Sequence, residues 1–275
     1  MGLRINTNVA SLAAQRQIGL SQSRSQGEMK ALASGNRFDN PAESSADYSI
    51  AEGLRAQISG MKSATKNAEN AQSFVQVAEG GLNEQNNILI RMRELSVQAA
   101  SDTYSDRERE LLQQEYGQLQ QEMDRIALTT SFGSTKLLSG DSKEYEFQVG
   151  AYKGEENVIK YKADTNTRSS ELGVDSLDIS DRGSARDSLD SLDEAVVKIA
   201  QARANFGAIH SRLDSTINHG NVQVENLEAA HSRLADTNIA EAASSMYKQQ
   251  ALQQYQINVL DQANRFPGSV IRLVG

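Results

Sequence analysis

The sequence predicts a mainly α protein, with long antiparallel coiled-coil helices running in from both chain ends and a small β-hairpin region between them. Three observations carry that reading. Apolar residues recur every seven positions across residues 50–99 and again across 192–234. Between these stretches the period falls to two, from Tyr145 to Ala163. The 275 residues include 5% aromatics and no tryptophan, with a mean hydropathy of -0.54, too polar a composition for one thick globular core.

The first element is a polar, weakly amphipathic helix from near Thr7 to Ser34, closed by Gly35-Asn36 as a left-handed cap. Residues 35–40 then read as a short hinge. Asn40 is placed to cap the next helix, with Pro41 in the first turn and Glu43 reaching back. That helix spans 41–100 and carries two heptad series. One is Leu54, Met61, Ala68, Val75, Leu82, Leu89, Ser96; the other is Ile50, Gln57, Ala64, Ala71, Ala78, Gln85, Met92, Ala99. Ser105 and Glu108 form a capping box, after which Leu112, Tyr116, Leu119, Met123 and Ile126 mark a shorter helix folded back on the long one.

Tyr145, Phe147 and Val149 alternate with polar residues, as do Ile159, Tyr161 and Ala163, which predicts a hairpin. The aromatics Tyr145, Phe147, Tyr152 and Tyr161 are expected to pack it onto the helices. Residues 164–183 read as irregular and acidic. Heptads return with Leu192, Ile199, Phe206, Leu213, Gly220, Leu227 and Leu234, so a helix over 185–234 is expected to pair with 41–100. A Gln- and Ala-rich helix holding Ile239, Met246, Leu252, Val259, Leu260 and Ala263 follows. It is expected to stop before Pro267 and to pair with 7–34.

Composition narrows the function classes. Without cysteine there is no disulfide framework, thiolate metal site or thiol nucleophile. A net charge of -8 disfavours wholesale binding to nucleic-acid phosphates. The charge is uneven, since residues 1–37 carry Arg4, Arg16, Arg24, Lys30 and Arg37 against Glu28 alone, which leaves the middle strongly acidic. No stretch is apolar enough for a cleavable signal or a membrane span, so membrane insertion is not expected; the chain is either cytoplasmic or exported by a route that reads no such signal.

Catalytic and metal constellations are not evident. His210, His219 and His231 fall on one helix at steps that point them to different faces. Gly80-Gly81 lacks the preceding strand and following Lys-Ser/Thr of a phosphate loop and fits a close approach by a neighbouring helix. The cluster Arg91-Met92-Arg93-Glu94 reads either as a solvated face or as an anion site. These readings lead to a non-enzymatic helical assembly protein with no cofactor and no metal. Leu54, Leu82, Leu89, Phe206, Leu213 and Leu227 are expected to bury one another within one subunit. The weaker terminal set, Ile5, Val9, Leu12, Leu20, Met246, Val259, Leu260, Ile271 and Leu273, is expected to be mobile in the monomer and to be buried by neighbouring subunits.

Both chain ends resemble bacterial flagellin. The resemblance is carried by Ile5 to Leu12, by Ala78-Glu79-Gly80-Gly81-Leu82, by Arg91-Met92-Arg93-Glu94-Leu95-Ser96-Val97-Gln98, by Phe147-Gln148-Val149-Gly150-Ala151, and by Ala235-Asp236-Thr237 through Gln262-Ala263-Asn264. The hinge Gly35 to Pro41 departs from the family's usual pattern, and only about forty-five residues lie where outer domains are usually inserted, as in a minimal flagellin. The resemblance implies three parts: a terminal coiled-coil domain of 1–40 plus 235–275 lining a filament core, a helical-bundle domain of 41–140 plus 185–234, and a hairpin and irregular outer segment over 141–184. It implies a structural subunit of the flagellar filament, secreted and extracellular, with a hook-associated filament junction protein as the alternative. The partners it implies are further copies and sibling flagellins, cap and hook-associated proteins, an export chaperone, the type III export apparatus and a vertebrate Toll-like innate receptor. For that receptor the resemblance points to Arg91, Leu95 and Glu115.

Overall fold

The computed structural model describes residues 8–38, 45–140 and 143–274, with side chains as far as Arg265. The expected Asn40, Pro41 and Glu43 cap lies outside the described residues. The chain forms two compact units: a central one, residues 57–225, and a terminal one, residues 1–56 with 226–275.

The long helices α2 (Ser45–Ala99) and α5 (Arg182–Ala235) contribute most of the central unit and run antiparallel there. Gln72 Nε2 lies 2.8 Å from His210 Nε2, Arg93 Nε donates to Asp193 Oδ1 at 2.7 Å, and the Ser96 and Ser188 hydroxyls are hydrogen-bonded at 3.0 Å. At Gly220 an added Cβ would come within 2.8 Å of Thr65 Oγ1, so the glycine permits the close helix approach there. Both heptad series of α2 are buried from Met61 and Ala64 onward, including the two polar members Gln85 and Ser96. The Gln85 amide donates to the Met123 and Thr167 carbonyls, each at 3.2 Å, which is how a polar group is kept inside. Leu192, Ile199, Phe206 and Leu213 of α5 are fully buried against this seam. Leu54 and Leu227, expected in the same core, belong instead to the terminal unit and are half-buried.

Helix α3 (Asp106–Thr129) begins at the expected capping box, where the Glu108 carboxylate accepts the Ser105 N–H at 2.7 Å. That bond holds the Glu108 carboxyl below its usual range. The turn before it is fastened by Arg109, which donates from Nε to the Ala99 carbonyl at 2.8 Å and from Nη2 to Ser101 at 3.0 Å. A buried cation thus meets the carbonyl end of α2.

After α3 the chain forms a small unexpected pair, β1 (Ser131–Phe132) with β2 (Thr135–Lys136), turning at Gly133 with φ 60°. Strands β3 (Lys143–Gln148) and β4 (Val158–Ala163) then form the expected hairpin, pairing Tyr145 with Tyr161 and Phe147 with Ile159. Phe74 of α2 receives it, with its ring 5.3 Å from Tyr145, 5.7 Å from Phe147 and 6.1 Å from Tyr161. Burial pushes the Tyr161 hydroxyl up to about 12. Tyr152 does not join them. It falls in the loop beyond the alternating strand residues and is exposed. The close neighbour of Gly81 is not a helix but the segment following α3, since an added Cβ would lie 2.7 Å from Thr130 Oγ1 and 2.9 Å from Leu138 Cδ1.

Residues 164–183 are less irregular than their composition suggests. They hold the short helix α4 (Ser169–Leu172), and Leu172, Val174 and Ile179 are buried. The segment is tied to α3 by Asp124 accepting from Ser169, Gln120 donating to the Val174 carbonyl and Gln113 accepting the Ile179 N–H.

In the terminal unit α1 (Val9–Ser34) ends as expected at Gly35, whose φ of 71° is left-handed, and starts at Asn8, whose Oδ1 accepts the Ser11 N–H. Helix α6 (Ile239–Val274) packs antiparallel on α1. It does not stop before Pro267. Its backbone stays helical to Val274, because a proline removes only one helix hydrogen bond when neighbouring groups fill the gap. The hinge residues dock on the turn before α6: the Arg37 N–H donates to the Ala235 carbonyl at 2.7 Å and the Thr237 N–H to Gly35 at 2.9 Å. Phe38 packs edge-on against Tyr48, 6.3 Å away, beside Ala51 and Ala235.

Candidate functional site

The α1–α6 pair inverts the usual placement of polar and apolar residues. Most of the least exposed residues of α1 and its cap follow heptad spacing: Asn8, Ser11, Ala14, Ile18, Ser21, Ser25, Glu28 and Leu32. Those of α6 do the same, with Ala242, Met246, Gln249, Gln253, Gln256, Leu260 and Ala263. Only Ile18, Leu32, Met246 and Leu260 are large apolar residues, and across the seam Gln256 Nε2 donates to Ser21 Oγ at 3.0 Å.

Most of the large apolar side chains lie outside. Of the residues expected to serve assembly, Val9 is 67% exposed, Leu12 54%, Leu20 48% and Val259 57%. Met246 and Leu260 lie half-buried in the seam. Ile5 lies outside the described residues, as do the side chains of Ile271 and Leu273, whose backbone is helical. The structure adds Met29, Ile239, Tyr247, Leu252, Tyr255 and Ile257 to the exposed set. Tyr247 and Tyr255, eight residues apart, were the sequence signal for this face, since two aromatics at helical spacing in a Gln-rich helix have no seam to fill. Burying each such side chain contributes roughly 1.5–3 kcal/mol. Large apolar side chains exposed along both helices are characteristic of an association surface.

A second patch lies on the central unit. Arg91 donates from Nε and Nη2 to one Glu115 oxygen, at 2.9 and 2.7 Å, and from Nη1 to Glu94 at 3.1 Å. Glu115, and then Glu94, raises the Arg91 guanidinium above its already high value. Arg93 holds Asp193 below the usual carboxylate range. Each guanidinium is thus paired with a carboxylate, as on a solvated charged face. Leu95 is fully buried beneath the patch, so the three residues singled out by resemblance comprise an exposed ion pair and a core side chain. His210 sits between α2 and α5, with Nδ1 4.0 Å from Glu79. Among the described residues no three histidines or carboxylates gather as metal ligands, and no helix is long and apolar enough to cross a membrane.

Two family models match the chain: the bacterial flagellin N-terminal helical region over residues 5–143 and the C-terminal helical region over 189–274. A flagellin of Halalkalibacterium halodurans is 34% identical over 271 residues, covering 98% of this chain and 99% of that one. The crystal structure of Bacillus cereus flagellin superposes with a TM-score of 0.51 at 31% identity, covering 60% of this chain and 94% of that one. A structure described as a flagellar hook-associated protein of Vibrio parahaemolyticus shares the fold, with a TM-score of 0.57 at 13% identity over 71% of this chain and 98% of that one.

Proposed function

The chain belongs to the bacterial flagellin family and is a structural subunit of the flagellar filament, and on that premise we propose how its parts are used. Residues 1–40 with 235–275 form the coiled coil that lines the filament core. Residues 41–140 with 185–234 form a bundle that folds within each subunit, and 141–184 face outward. The observation that carries this reading is the inverted seam of α1 and α6, where Ser and Gln face inward and Val9, Leu12, Leu20, Tyr255 and Val259 face out. Such a pair gains little by closing on itself and much when neighbouring copies cover its outer face.

The filament is extracellular in this reading, and the subunit is secreted through the type III apparatus with an export chaperone. A chain without cysteine and with weakly self-sufficient ends suits passage in an unfolded state. Sibling flagellins, cap and hook-associated proteins contact the same terminal helices. The role is structural rather than catalytic. On the central unit, Arg91 and Glu115 offer an exposed charged pair, with Leu95 supporting it from below, to a Toll-like innate receptor. Limited proteolysis of purified monomer tests the main reading. Trimming before about residue 40 and after about 235 should leave a folded core that no longer polymerises, whereas filaments formed by the trimmed core would refute it.

A further inference from the structure

Both ends of the Asn8 amide are engaged. Its Oδ1 accepts the Ser11 N–H at 3.1 Å, and its Nδ2 donates to the Ala263 carbonyl of α6 at 2.8 Å. That acceptor has a special position. In an α-helix the carbonyl of residue 263 takes the N–H of residue 267, and here residue 267 is proline inside a helix that continues to Val274. Proline has no N–H to give. Ala263 is thus a carbonyl deprived of its ordinary donor, and the donor comes from 255 residues away in sequence.

The remainder of the α1–α6 seam is poor at fixing its own geometry. Gln249, Gln253 and Gln256 are chemically alike, as are Ser21 and Ser25, so contacts such as Gln256 to Ser21 re-form after small displacements. One end of the pair is fastened by the backbone bonds between 35–37 and 235–237. At the other end, among the described residues, the inter-helix side-chain bond is the one from Asn8. Pro267 is the only proline in α6, so Ala263 is the carbonyl it frees in the interior of that helix.

We propose that Asn8 is the clasp of this end of the pair: by donating to the carbonyl freed by Pro267 it sets the position of α1 on α6, and with it the exposed Val9, Leu12 and Val259 that neighbouring subunits cover. The proposal deepens the assembly reading above and rests on it. Asn8 acts through the alignment of other residues and is a positioning residue.

The test uses the full-length chain, added to filament seeds, with the critical concentration for growth measured alongside hydrogen exchange of residues 9–12 in the filament. Asn8→Asp is nearly isosteric and keeps the cap acceptor, which a helix N-terminus favours, but it cannot donate. It should raise the critical concentration about fivefold, about 1 kcal/mol at 1.4 kcal/mol per tenfold, and speed exchange at 9–12. In a Pro267→Ala background the helix supplies its own donor, so Asn8→Asp should then cost less than about twofold. Equal costs in both backgrounds, or an Asn8→Asp chain that grows and exchanges like the parent, would overturn the clasp. A chain trimmed before residue 40 that still polymerises would instead overturn the assembly reading, so the two failures are separable.

Discussion

The helix pairs α2–α5 and α1–α6 both run antiparallel on heptad spacing, yet they place opposite chemistry in the seam. In the first, Leu82, Leu89, Phe206 and Leu213 are fully buried, and the two polar interruptions, Gln85 and Ser96, are hydrogen-bonded inside. In the second, Ser11, Ser21, Ser25 and three glutamines fill the seam while Val9, Leu12, Tyr247 and Tyr255 point outward. Heptad periodicity therefore specifies that helices pair but not where the stabilising burial happens. The first pair buries its apolar surface against its own chain. The second leaves much of it exposed, and in the proposed function neighbouring copies cover it.

The largest effect that should separate the two pairs comes from truncating one side chain in each. Phe206→Ala should destabilise the monomer by about 3–5 kcal/mol in denaturant unfolding. Leu20→Ala should leave monomer stability within about 0.5 kcal/mol and impair filament growth. Equal effects on the monomer would dissolve the distinction. Next in size is Arg109→Ala, which removes a buried guanidinium from the carbonyls of Ala99 and Ser101; a loss of about 2 kcal/mol is expected by the same measurement, with unchanged assembly at temperatures where the bundle stays folded.

Arg91→Ala with Glu115→Ala removes an exposed pair, so the melting temperature should barely move. Activation of the innate receptor by monomer should be lost, and unchanged signalling by a folded double variant would contradict the receptor role. The smallest effect is on acidification. Asp193 is held low by Arg93, Asp102 by Arg182 and Glu108 by the Ser105 N–H. Lowered carboxylates contribute stability that is complete above their unfolded pKa near about 4 and is lost as pH falls through the lower folded values. The central unit should therefore lose stability modestly below about pH 4, seen as a falling melting temperature, and a rise there would contradict these pairings.

The same comparison accounts for what the sequence made legible. The α2–α5 seam was readable because bulky apolar residues at period seven are a strong signal and are buried where the period puts them. The α1–α6 seam was not, because serine and glutamine at period seven carry no hydrophobic signature, and only the dilution of apolar residues hinted at a surface. Pro267 misled because the rule against proline in helices is local, whereas the group that relieves it, Asn8, sits at the other end of the chain. The buried stretch around Val174 and Ile179 was hidden by its acidic flanks, and Arg109 was indistinguishable from a solvated charge in the run Asp106-Arg107-Glu108-Arg109. Tyr152 was grouped with the hairpin aromatics by residue type alone, and it lies outside the alternating run, in the exposed loop between β3 and β4.

In the proposed function one helix pair is complete within the subunit and the other is completed by assembly. Amide hydrogen exchange measured on the same protein as monomer and as filament tests it directly. Residues 61–99 and 188–213 should be protected in both states, while 9–34 and 239–263 should exchange freely in the monomer and become protected in the filament. Terminal helices as protected in the monomer as the central pair would contradict it.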